Sequence, residues 1–182
     1  MRAFIAVEIE AEMRRAIAEL KERLRPLARG ARWVRGEGIH LTLRFLGEAS
    51  PAQVEGLRTA LAAAAADCPP AEIRVRGLGT FPERGSPRVL WLGMELPGPV
   101  LTLQQECERA AVEMGFPREG RPFRAHLTLA RFRDRVPHPE LPPVDLGATR
   151  LEQLVLFRSD LRPDGAVYTP LARFALGRGE ID

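Results

Sequence analysis

The sequence predicts an α+β fold of two pseudo-equivalent lobes, each a small sheet with helices on its outer face, set around a central groove. Three observations lead there. The string His40-Leu41-Thr42-Leu43 returns letter for letter as His126-Leu127-Thr128-Leu129, 86 positions later. Shifting the first apolar strand and first amphipathic helix by the same 86 positions lands them on a second such strand and helix. The 182 residues, 45% hydrophobic and 28% charged, suffice for one well-buried domain or two small lobes sharing a core. No linker of disorder-like composition divides the halves. A single bilobal domain over 1–182 is therefore expected, with pseudo-repeats of about 1–80 and 87–177.

Taken in order, residues 3–9 are apolar and β-leaning and read as a buried strand. Residues 11–27 carry Met13, Ile17, Leu20 and Leu24 at spacings of three and four, the stripe of an amphipathic helix. Pro26 and Gly30 end it. Arg32-Trp33-Val34-Arg35 leads into the first His/Thr strand, about 39–46, which Gly47 and Glu48 stop. Ser50, Pro51 and Gln53 form a capping box with proline at the first helical position, so a helix is expected to about residue 66. Pro69-Pro70 breaks it, 72–78 alternates as a strand, and 79–87 reads as an exposed loop. The pattern then restarts with an apolar strand at 88–96. A helix follows at 99–114 on Leu103, Cys107, Ala110, Ala111 and Met114, ended by Gly115. Arg121-Pro122-Phe123-Arg124 leads into the second His/Thr strand. Residues 134–147 are rich in proline and read as loop, and 151–158 with 167–176 read as a hairpin around Arg162-Pro163-Asp164-Gly165.

Net charge is only +3, but Lys21 is the single lysine among 27 basic residues. Guanidinium groups stay charged and grip phosphate in a fork, which favours a phosphate-bearing partner. A genome-wide base-composition bias accounts for the arginines equally well. Cys68 and Cys107, the only cysteines, have no spacing suited to zinc or a disulfide framework. Glu8 comes too early for a signal peptide, and no apolar run approaches membrane-spanning length. A cytoplasmic protein is the expectation.

Alternation along a strand puts His and Thr on one face of each tetrad and two leucines on the other. Two such strands facing one another surround a point with two imidazoles and two hydroxyls. Imidazoles with ordinary pKa near 6.5 can serve as one base and one acid at neutral pH. The hydroxyls of Thr42 and Thr128 can donate to the non-bridging oxygens of a phosphate. A cyclic phosphodiester suits the set: one imidazole takes a proton from water and the other protonates the departing ribose oxygen opposite. No third ligand in strand register with His126 suggests a metal site. Neither a nucleotide-triphosphatase phosphate loop nor a serine nucleophile elbow occurs. His138, in the proline-rich stretch, reads as an ordinary exposed histidine.

The chain resembles the two-histidine phosphoesterase superfamily, marked by paired His-x-Thr-x strings. Within it the chain is similar to the bacterial and archaeal RNA 2′,3′-cyclic phosphodiesterases, first named 2′-5′ RNA ligases. The likeness includes Arg2-Ala3-Phe4-Ile5-Ala6, Arg32-Trp33-Val34, Ile39 through Glu48, Val89-Leu90-Trp91-Leu92-Gly93, Arg121 through Arg131, Leu156-Phe157-Arg158-Ser159 and Tyr168-Thr169-Pro170-Leu171. It implies a bilobal duplicated β-α-β-α-β fold with two antiparallel sheets flanking the groove. It implies opening of a terminal RNA cyclic phosphate to a 2′-phosphomonoester without metal or cofactor. It implies His40 as proton donor to the 3′ oxygen and His126 as the acceptor that activates water, roles the residues alone do not order. Gly38 stands where the first motif normally carries Asn, and the second half lacks a counterpart of the 51–66 helix.

Arg131 belongs to the second motif and is a candidate phosphate clamp, although strict alternation puts it on the Leu face unless a strand end or bulge turns it. Arg44 shares the parity of His40 and Thr42 and so faces the groove, a solvated strand-end arginine being the equal alternative. Phe45 and Phe132 are of a kind to stack on a base, with core packing the favoured reading for each. Expected partners are RNA ends carrying 2′,3′-cyclic phosphate, tRNA fragments among them, bound by a monomer. Two other activities stay open: 2′-5′ joining of a cyclic-phosphate end to a 5′-hydroxyl end, and binding of RNA ends without turnover.

Overall fold

The computed structural model describes residues 1–181 and contains two five-stranded antiparallel sheets and three helices. The chain runs β1 (Arg2–Val7), α1 (Ala11–Leu24), β2 (Ala31–Trp33), a short 3-10 turn (Gly36–Gly38), β3 (Leu41–Glu48), α2 (Pro51–Asp67), β4 (Ala71–Phe81), β5 (Val89–Glu95) and α3 (Gly98–Glu113). It continues through β6 (His126–Phe132), β7 (Asp145–Leu151), β8 (Gln153–Arg162), β9 (Gly165–Ala175) and β10 (Gly179–Ile181).

The helices form where periodicity and capping require. α1 buries Met13, Ile17, Leu20 and Leu24, the stripe legible in the sequence. At the start of α2 the Ser50 hydroxyl accepts from the Gln53 amide while the Gln53 side chain accepts from the Ser50 amide, satisfying two donors that the first turn would otherwise leave unpaired. After α3 the chain turns at Gly115, whose φ of +86° a side chain would strain.

The sheets do not coincide with the sequence halves. The first has strand order β10-β9-β8-β1-β3 and the second β2-β6-β5-β4-β7. Under the 86-residue offset, β1 matches β5, β3 matches β6 and β4 matches β8. Yet β4 pairs with β5 and β7, and β8 pairs with β1 and β9. The first half therefore contributes β2 and β4 to one sheet and the second half β8 and β9 to the other, which ties both lobes to one hydrophobic core. That core holds the leucines of both tetrads, Leu41, Leu43, Leu127 and Leu129, all buried.

Four readings change. Residues 79–81 belong to β4, paired with Val89–Trp91, and are not loop. Residues 145–151 form an edge strand on β4, hidden in the sequence by the prolines before it and by Gly147 within it. β2 and β10, three residues each, are too short for any alternation to register and exist through pairing with β6 and β9. The hairpin of β8 and β9 is longer than 151–158 with 167–176, running to a turn between Arg162 and Gly165.

Candidate active site

His40 immediately precedes β3, and Thr42 pairs with Ala6 of β1. His126 opens β6 opposite Gly93, and Thr128 lies opposite Trp91. All four side chains line one cavity of about 960 Å³, ample for a nucleotide. The leucine faces anchor each strand in the core and leave the His/Thr faces turned to the groove.

Each His/Thr strand carries a β-bulge at the same place in its repeat. Ile5 and Ala6 pair with Arg44 and Thr42, so Leu43 is the extra residue on β3. Leu90 and Trp91 pair with Ala130 and Thr128, so Leu129 is the extra residue on β6. A bulge shifts the alternation by one. Beyond it, Arg44 and Ala130 become buried, Arg44 still bordering the cavity, while Phe45 and Arg131 are exposed and line it.

The bulge decides the assignments that alternation leaves open. Arg131 is exposed and lines the cavity, as a phosphate clamp requires. Phe45, for which core packing is the favoured reading of the sequence, is instead 61% exposed and lines the same cavity, its ring 6.1 Å from Phe4. Phe132 is buried, as expected. Arg44 lines the cavity, one of the two readings the sequence leaves open, but it is not solvated. Only 8% exposed, it pairs with Glu108 of α3 and donates to the carbonyls of Phe45 and Pro117 at the cavity edge.

The two histidines differ in setting. The His126 Nδ1 lies 2.7 Å from the Arg124 carbonyl. A carbonyl only accepts, so Nδ1 carries the proton and neutral His126 keeps its lone pair on Nε2, the tautomer of a general base. Phe81, delivered by the end of β4, packs edge-on against this ring at 5.2 Å. Burial lowers the His126 pKa, the Arg124 carbonyl opposes this, and the Arg131 charge lowers it further.

His40 sits deeper, 7% exposed, between Phe157 at 4.6 Å, Tyr168 at 5.7 Å and Phe4 at 6.2 Å. Phe4, Ala6, Val155 and Phe157 form a second apolar cluster with Tyr168, separate from the main core. Burial pushes the His40 pKa down to about 4, helped by the positive charge of Arg14 and, more weakly, Arg173, and opposed by Glu8 and the Gly38 carbonyl. Gly38 occupies the place of Arg124 relative to its histidine, but the buried His40 Nδ1 forms no well-aligned hydrogen bond there.

Sequence reasoning passes over three parts of this site. Phe81 falls in a stretch that reads as loop. Arg121 and Arg124 read only as a lead-in to the strand, yet both line the cavity; a pair of arginines flanking Pro-Phe is the available signal. His138 is exposed, as expected, but its Nε2 lies 2.9 Å from the hydroxyl of buried Thr80, which also donates to the Pro82 carbonyl. It buttresses the strand end that carries Phe81. Both cysteines are buried free thiols whose pKa burial raises, so no reactive thiolate is at hand. Among the described residues no three His, Cys, Asp or Glu side chains cluster as a metal site would need. None of the described helices is long and apolar enough to cross a membrane.

A family model described as LigT like phosphoesterase matches the chain twice, over residues 7–91 and 94–168. An RNA 2′,3′-cyclic phosphodiesterase of Thermus thermophilus is 39% identical over 193 residues, covering 99% of this chain and 92% of that protein. One from Methanothermobacter thermautotrophicus is 32% identical over 183 residues, covering 97% and 99%. Among solved structures, a Thermus thermophilus protein superposes with a TM-score of 0.88 at 37% identity, covering both chains completely. The E. coli LigT protein complexed with 3′-AMP superposes with a TM-score of 0.85 at 29% identity, covering 96% of this chain and 97% of its own.

Proposed function

The chain belongs to the LigT-like phosphoesterase family and is a phosphoesterase, and from that premise we propose that it hydrolyses RNA 2′,3′-cyclic phosphate ends to 2′-phosphomonoesters. The observation that carries the reading is the meeting of His40, Thr42, His126, Thr128 and Arg131 in one cavity. His126, with its Nδ1 proton committed to the Arg124 carbonyl, takes a proton from water at Nε2. The water attacks phosphorus in line with the departing 3′ oxygen. His40 gives that oxygen its proton. Thr42 and Thr128 donate to the non-bridging oxygens, and Arg131 balances their charge. As the P–O(water) bond forms and the P–O3′ bond breaks, each protein group moves a proton, donates a hydrogen bond or balances charge, and that contribution asks for no metal ion. The two halves act as duplicates within one unit, because exchange of β4 and β8 between the sheets keeps the lobes in register.

The test is incubation with an RNA ending in 2′,3′-cyclic phosphate, with chelator present, followed by end-group analysis. A 2′-phosphate supports the reading. A 3′-phosphate reverses the acid and base. Loss of activity in chelator, restored by a divalent ion, removes the metal-free mechanism. A 2′-5′-joined product with a 5′-hydroxyl RNA identifies ligation, and bound but unaltered RNA identifies a binding module.

A further inference from the structure

The buried ion pair between Arg44 and Glu108 crosses from the first His/Thr strand to the helix preceding the second. Both side chains are largely withdrawn from water, 7% and 18% exposed. Arg44 also donates to the Pro117 carbonyl, and the second oxygen of Glu108 accepts the Glu119 amide at 2.9 Å. The pair therefore grips both sides of the turn at residues 117–119. From that turn the chain continues as the cavity rim, through Arg121 and Arg124, to His126. One residue before Arg44, the bulge residue Leu43 receives a weaker bond from Gln104 of α3 at 3.4 Å. The repeat supplies no equivalent on the other side, since the position matching Arg44 is Ala130.

We propose that Arg44 and Glu108 are positioning residues that tether the rim carrying Arg121 and Arg124 to the first His/Thr strand and so set the width of the substrate groove. Both border the cavity, but their charged groups are held by each other and by the 117–119 turn. The kinetic consequence rests on the cyclic-phosphate reading of the cavity; the tether itself does not. A buried ion pair contributes little net stability compared with apolar groups of similar volume, whereas removing one partner strands a charge. Structure and positioning can therefore be separated. Arg44→Met alone leaves Glu108 unpaired and lowers Tm. Adding Glu108→Leu removes the stranded charge and brings Tm back toward that of the parent. It does not restore the bonds to Pro117 and Glu119.

The decisive protein is the double variant, assayed on an RNA oligonucleotide ending in 2′,3′-cyclic phosphate and by amide hydrogen exchange over residues 118–124. The expected result is a KM roughly tenfold higher with kcat changed less than about threefold, and faster exchange confined to that rim. Parental KM and exchange would reduce the pair to space-filling and overturn the proposal. Arg44→Lys supplies the same readout should the double variant fold poorly. Lysine can reach Glu108 but lacks the planar fork that also holds two carbonyls, so KM must rise; a parental KM overturns the tether. If the parent protein shows no turnover, the functional reading falls while exchange at Glu119 still decides the tether.

Discussion

On the proposed mechanism His40 must carry a proton to act as the acid, yet burial in the free protein opposes this. Burial and the Arg14 charge push its pKa from the ordinary 6.5 down to about 4, a penalty on the imidazolium of about 3 kcal/mol. At pH 7 only about one His40 in a thousand is then protonated. A bound phosphate is expected to reverse this. A phosphate monoanion about 4 Å from the ring, at an effective dielectric of about 20, favours the imidazolium by about 4 kcal/mol. That is a factor of about a thousand in proton affinity, enough to return His40 to the neutral range. The proposed mechanism therefore expects the cyclic phosphate to charge its own acid and binding to take up a proton. The perturbation is anion loading, and the assay is an imidazole NMR titration of the free protein and of protein saturated with a nucleoside 2′-phosphate. Variants of each of the three histidines assign the resonances. The expected His40 pKa is about 4 free and close to about 7 when loaded. A free value within about half a unit of the ordinary 6.5, or a change on loading below about one unit, would refute the reasoning. Stability carries the same signature. Because the folded pKa lies below the unfolded one, the unfolded chain binds more protons between pH 6.5 and about 4. The protein therefore loses up to about 3 kcal/mol on acidification through that window, and His40→Gln removes this part of the pH dependence.

Other substitutions test the remaining groups. His40→Ala and His126→Ala should each abolish most turnover with the fold intact by circular dichroism, and the double variant should be little slower than either single one, as for groups acting as a unit. Thr128→Val keeps the shape and removes one donor, so kcat should fall roughly 100-fold, with Thr128→Ser restoring much of it. Arg131→Lys keeps a charge but loses the fork and should raise KM, most visibly at high salt. Ser50→Ala removes the cap of α2 and should lower unfolding free energy by about 1 kcal/mol in a denaturant titration, leaving kcat unchanged.

Local periodicity decided much of this protein before any tertiary contact. The stripe on α1, the Ser50/Gln53 box, the turn at Gly115 and the leucine faces of both tetrads are written in short-range spacings, and the backbone realises them directly. The repeated His/Thr strings also carry the family resemblance and name the four residues that meet in the cavity. Tertiary structure decided what depends on partners distant in the chain. The bulges at Leu43 and Leu129 come from pairing with β1 and β5, and they alone send Arg44 to Glu108 while turning Phe45 and Arg131 into the groove. β2, β7 and β10 exist through the strands beside them, and β4 and β8 cross between sheets. The difference between the two histidines is equally non-local. Their tetrads are identical, but His40 is desolvated by aromatic rings from β1, β8 and β9, while the Arg124 carbonyl two residues upstream fixes the tautomer of His126. Identical letters thus acquire different proton affinities because solvation is a property of the folded surroundings and not of the strand.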